Sequence, residues 1–198
     1  MNIFILPAFA LTMHRGTADR NILDEFCIAF CAIVEKHTPY IIVSGFVAIS
    51  SGRARATEDI DMILPRMTEA QFVALHNDLK KQEFICMQGD DAVMLYREYL
   101  RDSTSIRYTW KDQPIPEMDI KLAKDAVDDY QLQTRQKIHL TGLSVWFSSI
   151  NMNIAFKEEY LKSDKDMEDA KHLRIVFADE VNEEEIKKIK QMIRRYRL

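Results

Sequence analysis

The chain has 198 residues, 47% of them hydrophobic, enough to bury a core as one compact domain, which excludes an intrinsically disordered chain. Its 27 basic and 31 acidic residues leave a net charge of −4, which excludes nucleic-acid attraction through the global field, so any such contact needs a local basic patch. Three cysteines, with no Cys or His cluster at zinc-ligand spacing, exclude an even disulfide framework and point to a reducing, cytoplasmic setting.

The first residues, MNIFILPAFALTM, are apolar but lack a basic flank, are interrupted by Pro7 and are too short to span a bilayer. They read either as a strand or tail on the domain or as an upstream extension with Met13 as the start. No other segment approaches a membrane span. Asp19 or Asn21 is placed to cap a helix reaching about Lys36, whose apolar positions Ile22, Leu23, Phe26, Cys27, Phe30, Ile33 and Val34 follow a helical period. Cys27 and Cys31, one turn apart on that face, read as buried packing rather than as metal ligands. Thr38-Pro39 stops the helix.

Tyr40 to Ser44 is a β-rich run, followed by Gly45 and a short helix from Phe46 to Ser51. Backbone N–H groups at a helix start behind Ser44-Gly45 favour an anion such as phosphate. A connector, Gly52 to Thr57, leads to a strand on which Glu58, Ile60, Met62 and Leu64 share one face and Asp59, Asp61 and Ile63 the other. Two carboxylates on one face, two residues apart, are close enough together to hold a divalent cation, and Glu58 is turned away from them.

Met67 to Glu83 reads as an amphipathic helix capped by Thr68, with His76 on its surface. Phe84 to Cys86 suggests a short strand, Asp91 to Tyr99 a helix and Ile106 to Trp110 another strand, with breaks at Pro114 and Pro116. Pro116 to Leu122 alternates again, placing Met118, Ile120 and Leu122 on one face and Glu117, Asp119 and Lys121 on the other. After a helical or loop stretch to about Gln136, KIHLTGLSVWFSS reads as one or two short strands around Gly142. Asn151 to Tyr160 and SDKDMEDAKHL suggest two helices. Asn182 caps a third running to Tyr196, acidic at its start and basic at its end as the helix dipole favours.

The stretch from Tyr40 to Leu64 resembles the active-site signature of the DNA polymerase β-like nucleotidyltransferase superfamily: a small-residue pair after a strand, a short helix, then D-x-D on the next strand. It is similar to the compact bacterial and archaeal branch that includes abortive-infection and toxin–antitoxin nucleotidyltransferases, where G-R-x-R-A-T precedes D-I-D. Gly52, Arg53, Arg55, Ala56, Thr57, Asp59, Ile60 and Asp61 stand in those places. The departure is Ser44-Gly45, where the family shows Gly-Gly or Gly-Ser. Asp119 matches the third carboxylate, and Lys157 with S163-x-K165-D166-x-x-D169 resembles the element that packs beside the nucleotide.

The resemblance implies an α/β (α+β) fold: a nucleotidyltransferase-like core over residues 1–150, with 1–16 as a possible tail, whose short mixed sheet is flanked by helices, and a C-terminal helical portion over 151–198 packed on it. It implies Mg²⁺- or Mn²⁺-dependent transfer of a nucleoside monophosphate from a nucleoside triphosphate to an acceptor hydroxyl, on an RNA end such as tRNA or on a protein side chain. Asp59, Asp61 and Asp119 would be the catalytic and metal-binding residues, and Ser44, Gly45, Arg53, Arg55 and Lys157 would bind nucleotide. The same residues also admit plainer readings, with the arginines as solvated loop cations and Lys165, Asp166 and Asp169 as a structural salt-bridge set. The rival function is a non-catalytic binding module, an antitoxin or nucleotide sensor of the same fold.

Overall fold

A computed structural model of the chain describes residues 20–54, 57 and 59–198. The N-terminal stretch, Asp19, Arg55 and Glu58 lie outside the described residues. Asn21 caps α1 (Ile22–Val34): its side chain accepts from the Asp24 N–H at 3.0 Å, while the Asp24 carboxylate accepts from the Asn21 N–H at 3.1 Å. Phe26, Cys27, Phe30, Cys31 and Val34 form the buried face of this helix, and the two sulfurs lie 3.9 Å apart within the core. The chain then forms β1 (Ile41–Val43), α2 (Gly45–Ser50), β2 (Asp59–Leu64), α3 (Glu69–Lys81), β3 (Phe84–Cys86), α4 (Ala92–Glu98), β4 (Ile106–Trp110) and β5 (Gln113–Leu122). The C-terminal part contains α5 (Ala126–Gln133), α6 (Ile150–Phe156) running into a π-helical turn (Lys157–Leu161), α7 (Asp164–Val176) and α8 (Glu183–Arg197).

Among the described residues the strands make a five-stranded mixed sheet in the order β1-β2-β5-β4-β3. β2 and β5 pair in parallel; β1 with β2, β5 with β4 and β4 with β3 are antiparallel. Ile60, Met62, Leu64, Met118, Ile120 and Leu122 point to one face, where they meet α1 and α3 in the main core with Phe26, Phe30, Phe72 and Leu75. Phe30 packs edge-on to Phe84 with ring centres 5.1 Å apart, and Phe26 does the same to Trp110 at 5.0 Å. The opposite face carries the aspartates and, beside them, a small apolar cluster of Ile41, Val43, Ile63 and Ala123. Helix α8 buries Ile186, Ile189 and Ile193 and is tied down at its end by Arg197, which reaches Asp125 at 2.9 Å and Asp128 at 2.6 Å. No helix among the described residues is long and apolar enough to cross a membrane.

Three expectations are corrected. Pro114 and Pro116 do not break the chain but lie within the first residues of β5, Pro114 exposed and Pro116 buried. They fit because the register with β4 shifts between Tyr108 and Trp110 and pairing with β2 begins only at Glu117, so neither proline withholds a required ladder N–H. The segment KIHLTGLSVWFSS makes isolated bridges instead of strands: Phe147 pairs singly with Gln136 and with Ile42, covering the outer edge of β1, while His139–Thr141 is a 3-10 turn closed by Gly142 at φ 67°. His76 is buried rather than on the surface, 1% exposed on the inner face of α3.

The two ring nitrogens of His76 are both engaged, with the Tyr108 hydroxyl at 2.7 Å from Nδ1 and the Asp90 carbonyl at 3.2 Å from Nε2. That pattern suits a neutral ring, and burial pushes its pKa below the ordinary value. The unfolded chain therefore takes up the proton first as pH falls below about 6.5, and the folded state loses stability through that window down to the lowered folded pKa. Urea denaturation at pH 7.5 and 5.5 will show a larger loss for the wild type than for His76→Gln; equal losses would contradict the neutral buried ring.

Candidate active site

The parallel register of β2 and β5 sets Asp61 directly beside Asp119 and Asp59 beside Glu117, all on the face away from the main core. In the antiparallel register of β4 with β5, Arg107 lies opposite Asp119. Its Nε stands 3.5 Å from the Asp119 carboxylate and its Nη1 3.6 Å from that of Glu117. Asp59 is exposed and accepts a 2.7 Å hydrogen bond from the Thr57 hydroxyl. Asp61 and Asp119 are both half-buried. Burial, together with the like charges of Asp119 and Asp59, raises the pKa of Asp61, opposed by a hydrogen bond from the Ser44 hydroxyl and by Lys121.

Ser44 follows β1 and occupies the N-cap of α2 at φ 66°, ψ −135°, a backbone conformation that glycine adopts freely and that costs any other residue about 1–3 kcal/mol. A glycine there would relieve that strain but could not donate to Asp61, so the departure from a Gly-first pair has a chemical counterpart in this chain. Ser44, Gly45, Asp59 and Asp61 on one side, and Ser163, Lys165 and Asp166 from the start of α7 on the other, enclose a polar cleft of about 170 Å³. The carboxylates offer only hard oxygen donors, the set that suits Mg²⁺ or Mn²⁺. As they stand, no three His, Cys, Asp or Glu side chains among the described residues are gathered into one coordination sphere. Asp119 leans instead toward Arg107.

No family model and no curated protein matches the sequence. Solved structures do match. The solution structure of the antibiotic-resistance factor ANT(2'')-Ia superposes with a TM-score of 0.54 at 16% identity, over 87% of this chain and 91% of that one. The crystal structure of ANT(2'')-Ia in complex with adenylyl-2''-tobramycin gives the same score and identity over 88% and 98%. The chain has a nucleotidyltransferase-like fold.

Two residues expected at the nucleotide in this nucleotidyltransferase-like fold are bound to acids of α7. Arg53 pairs with Asp169 and Glu168 and donates to the Lys165 carbonyl at 3.2 Å. Lys157, on the π-helical turn, has a side chain only 2% exposed, and its Nζ lies 2.8 Å from Asp169 and 3.2 Å from Asp166. Asp169 is fully buried between these two cations, so it ties the connector before β2 and the turn after α6 to the same helix. This arrangement matches the salt-bridge reading of Asp166 and Asp169. Lys165 projects into the cleft, and Arg55 lies outside the described residues.

Sequence reasoning placed Glu117 on the acidic face without assigning it a part, and passed over Arg107 altogether. The signal for Arg107 was its parity on β4, opposite to that of Ile106, Tyr108 and Trp110; only the register reveals its target. Replacing Asp169 by Asn leaves buried Lys157 with its charge poorly matched, so Asp169→Asn is expected to lose about 3 kcal/mol or more in urea denaturation. Glu168→Ala, which removes a carboxylate 70% exposed, should cost less than about 1 kcal/mol.

Proposed function

We propose that the protein is a divalent-metal-dependent nucleotidyltransferase that moves a nucleoside monophosphate from a nucleoside triphosphate to an acceptor hydroxyl and releases pyrophosphate. The observation that carries this reading is the register that sets Asp119 beside Asp61, on the face that holds Asp59 and opens on the Ser44-Gly45 turn. On this fold, three carboxylates of one face beside a polar cleft are suited to phosphoryl chemistry, which needs charge neutralisation and positioning more than covalent help.

Asp59 and Asp61 would hold the cation, with Asp119 completing its shell after leaving Arg107. When bound, Mg²⁺ or Mn²⁺ neutralises charge on the triphosphate and on the departing pyrophosphate. The raised pKa of Asp61 supports this assignment, because burial beside two like charges is relieved by a cation among them. The Ser44-Gly45 turn and Lys165, across the cleft, would bind the terminal phosphates. Asp119 would orient the acceptor hydroxyl and take its proton as the oxygen bonds to the α-phosphorus and the bond from that phosphorus to the bridging oxygen of pyrophosphate breaks.

The acceptor classes are an RNA end such as tRNA, a protein side chain and, from the adenylylated product held by ANT(2'')-Ia, a small-molecule hydroxyl. A second reading, a non-catalytic nucleotide sensor or antitoxin of the same fold, is favoured by one observation: Arg107 already neutralises Glu117 and Asp119. Incubation with each α-labelled triphosphate, Mg²⁺ or Mn²⁺, total RNA and protein will separate the two. Label should move to an acceptor in the wild type and fall at least about a hundredfold in Asp61→Asn, with an unchanged circular dichroism spectrum. Triphosphate binding by calorimetry without any transfer would favour the sensor, and no binding at all would refute the enzyme reading.

A further inference from the structure

Next to the polar cleft lies a second and more enclosed cavity of about 140 Å³, and Ser44 and Asp61 line both. Val43 and Ile63 of the sheet and Phe156 of α6 give it apolar walls. Of the cations that line it, Lys157 is matched by Asp166 and Asp169 and Arg197 by Asp125 and Asp128, while Lys121 acts on Asp61. Gln131 is also engaged, donating to Asp128 at 3.2 Å and accepting from the Ser148 hydroxyl at 3.0 Å.

Asn153 differs. It is 4% exposed, and its amide nitrogen donates to the carbonyls of both Ser148, at 3.0 Å, and Ser149, at 2.9 Å. Those two bonds use both amide hydrogens and fix which way the side chain is turned. They leave Oδ1 with no donor among the described residues, in a side chain that lines the cavity. A buried acceptor without a donor is uncommon in folded proteins and calls for a partner. The cavity is close in volume to one that admits a single six-membered ring. A flat ring bearing an amino group suits both the size of the cavity and this acceptor, and Ser44 and Asp61, which line both spaces, set it beside the cleft.

We propose that this cavity receives the nucleobase and that Asn153 Oδ1 accepts a hydrogen bond from its exocyclic amino group, so that the protein selects adenine and cytosine nucleotides over their oxo counterparts. The inference rests on the nucleotidyltransferase reading, in which the cleft holds the phosphates. The amino group is carried on the six-membered ring in both bases, which is the part the cavity has room for. An oxo group in its place brings two acceptors face to face and leaves Asn153 unsatisfied. Phe156 supplies an apolar ring for the base to lie against.

The test is calorimetry on the wild-type protein in Mg²⁺ with two matched pairs, ATP against ITP and CTP against UTP. The amino-bearing member of each pair is expected to bind at least about tenfold more tightly. Asn153→Leu should erase the ratio, and Asn153→Ser, which is smaller and keeps an oxygen, should reduce it. Because these substitutions also release the Ser148 and Ser149 carbonyls, the wild-type ratios stand as the primary readout and need no variant. Equal binding within both pairs, or preference for the oxo member, overturns the base-pocket inference while leaving the nucleotidyltransferase reading intact. Failure of every triphosphate to bind overturns that reading, and this inference with it.

Discussion

The parallel pairing of β2 with β5 is the constraint on which the site depends. Every residue of β2 from Asp59 to Leu64 has a partner in β5, and the alternation of the pleat sends Met62, Ile120 and their neighbours into the main core. The same alternation necessarily sends Asp59, Asp61, Glu117 and Asp119 together to the other face. A slip of one residue in either strand would bury carboxylates under α1 and α3 and expose Met or Ile, a large penalty in both directions. The hydrophobic core thus fixes the positions of the acids from the opposite face of the sheet.

Charges crowded on one face need counter-charges, and the fold supplies them from separate elements. Arg107 of β4 meets Glu117 and Asp119, while Lys121 and the Ser44 hydroxyl moderate Asp61. Further out, Asp169 holds Arg53 and Lys157 against α7. That buried cluster is a costly way to gain stability, since charges removed from water recover their desolvation only in good geometry. What it does provide is position: the connector entering β2, the turn after α6 and the start of α7 that closes the cleft are referred to one side chain. Ser44 shows the same trade, a strained backbone kept where its hydroxyl moderates the charge of Asp61.

Local signals in the sequence were read correctly where local physics governs. The caps at Asn21, Thr68 and Asn182 each depend on a side chain and an N–H a few residues on, and all three form. His76 was misread although its signal was present, because Phe72, Leu75, His76 and Leu79 form one i, i+3, i+4, i+7 stripe and all four are buried. The prolines of β5 were misread because their effect depends on a register shift in another strand. The ion pairs that Lys157 and Arg53 make with acids of α7 depend on how distant elements pack, which short-range spacing does not report.

By itself, the sequence determined the main helices and the strands that carry the acids, the common face of Asp59 and Asp61, and the turn at Ser44-Gly45, since a period of two and a strand-to-helix turn are properties of short stretches. Only the tertiary structure decided that Asp119 stands beside Asp61, that Arg107 neutralises it, that Lys157 is held by Asp169, and that Asn153 lines a cavity with an acceptor unmatched among the described residues. Each of these depends on pairing or packing between segments distant in the chain, where the burial of apolar surface elsewhere sets the register and polar side chains meet the neighbours it gives them.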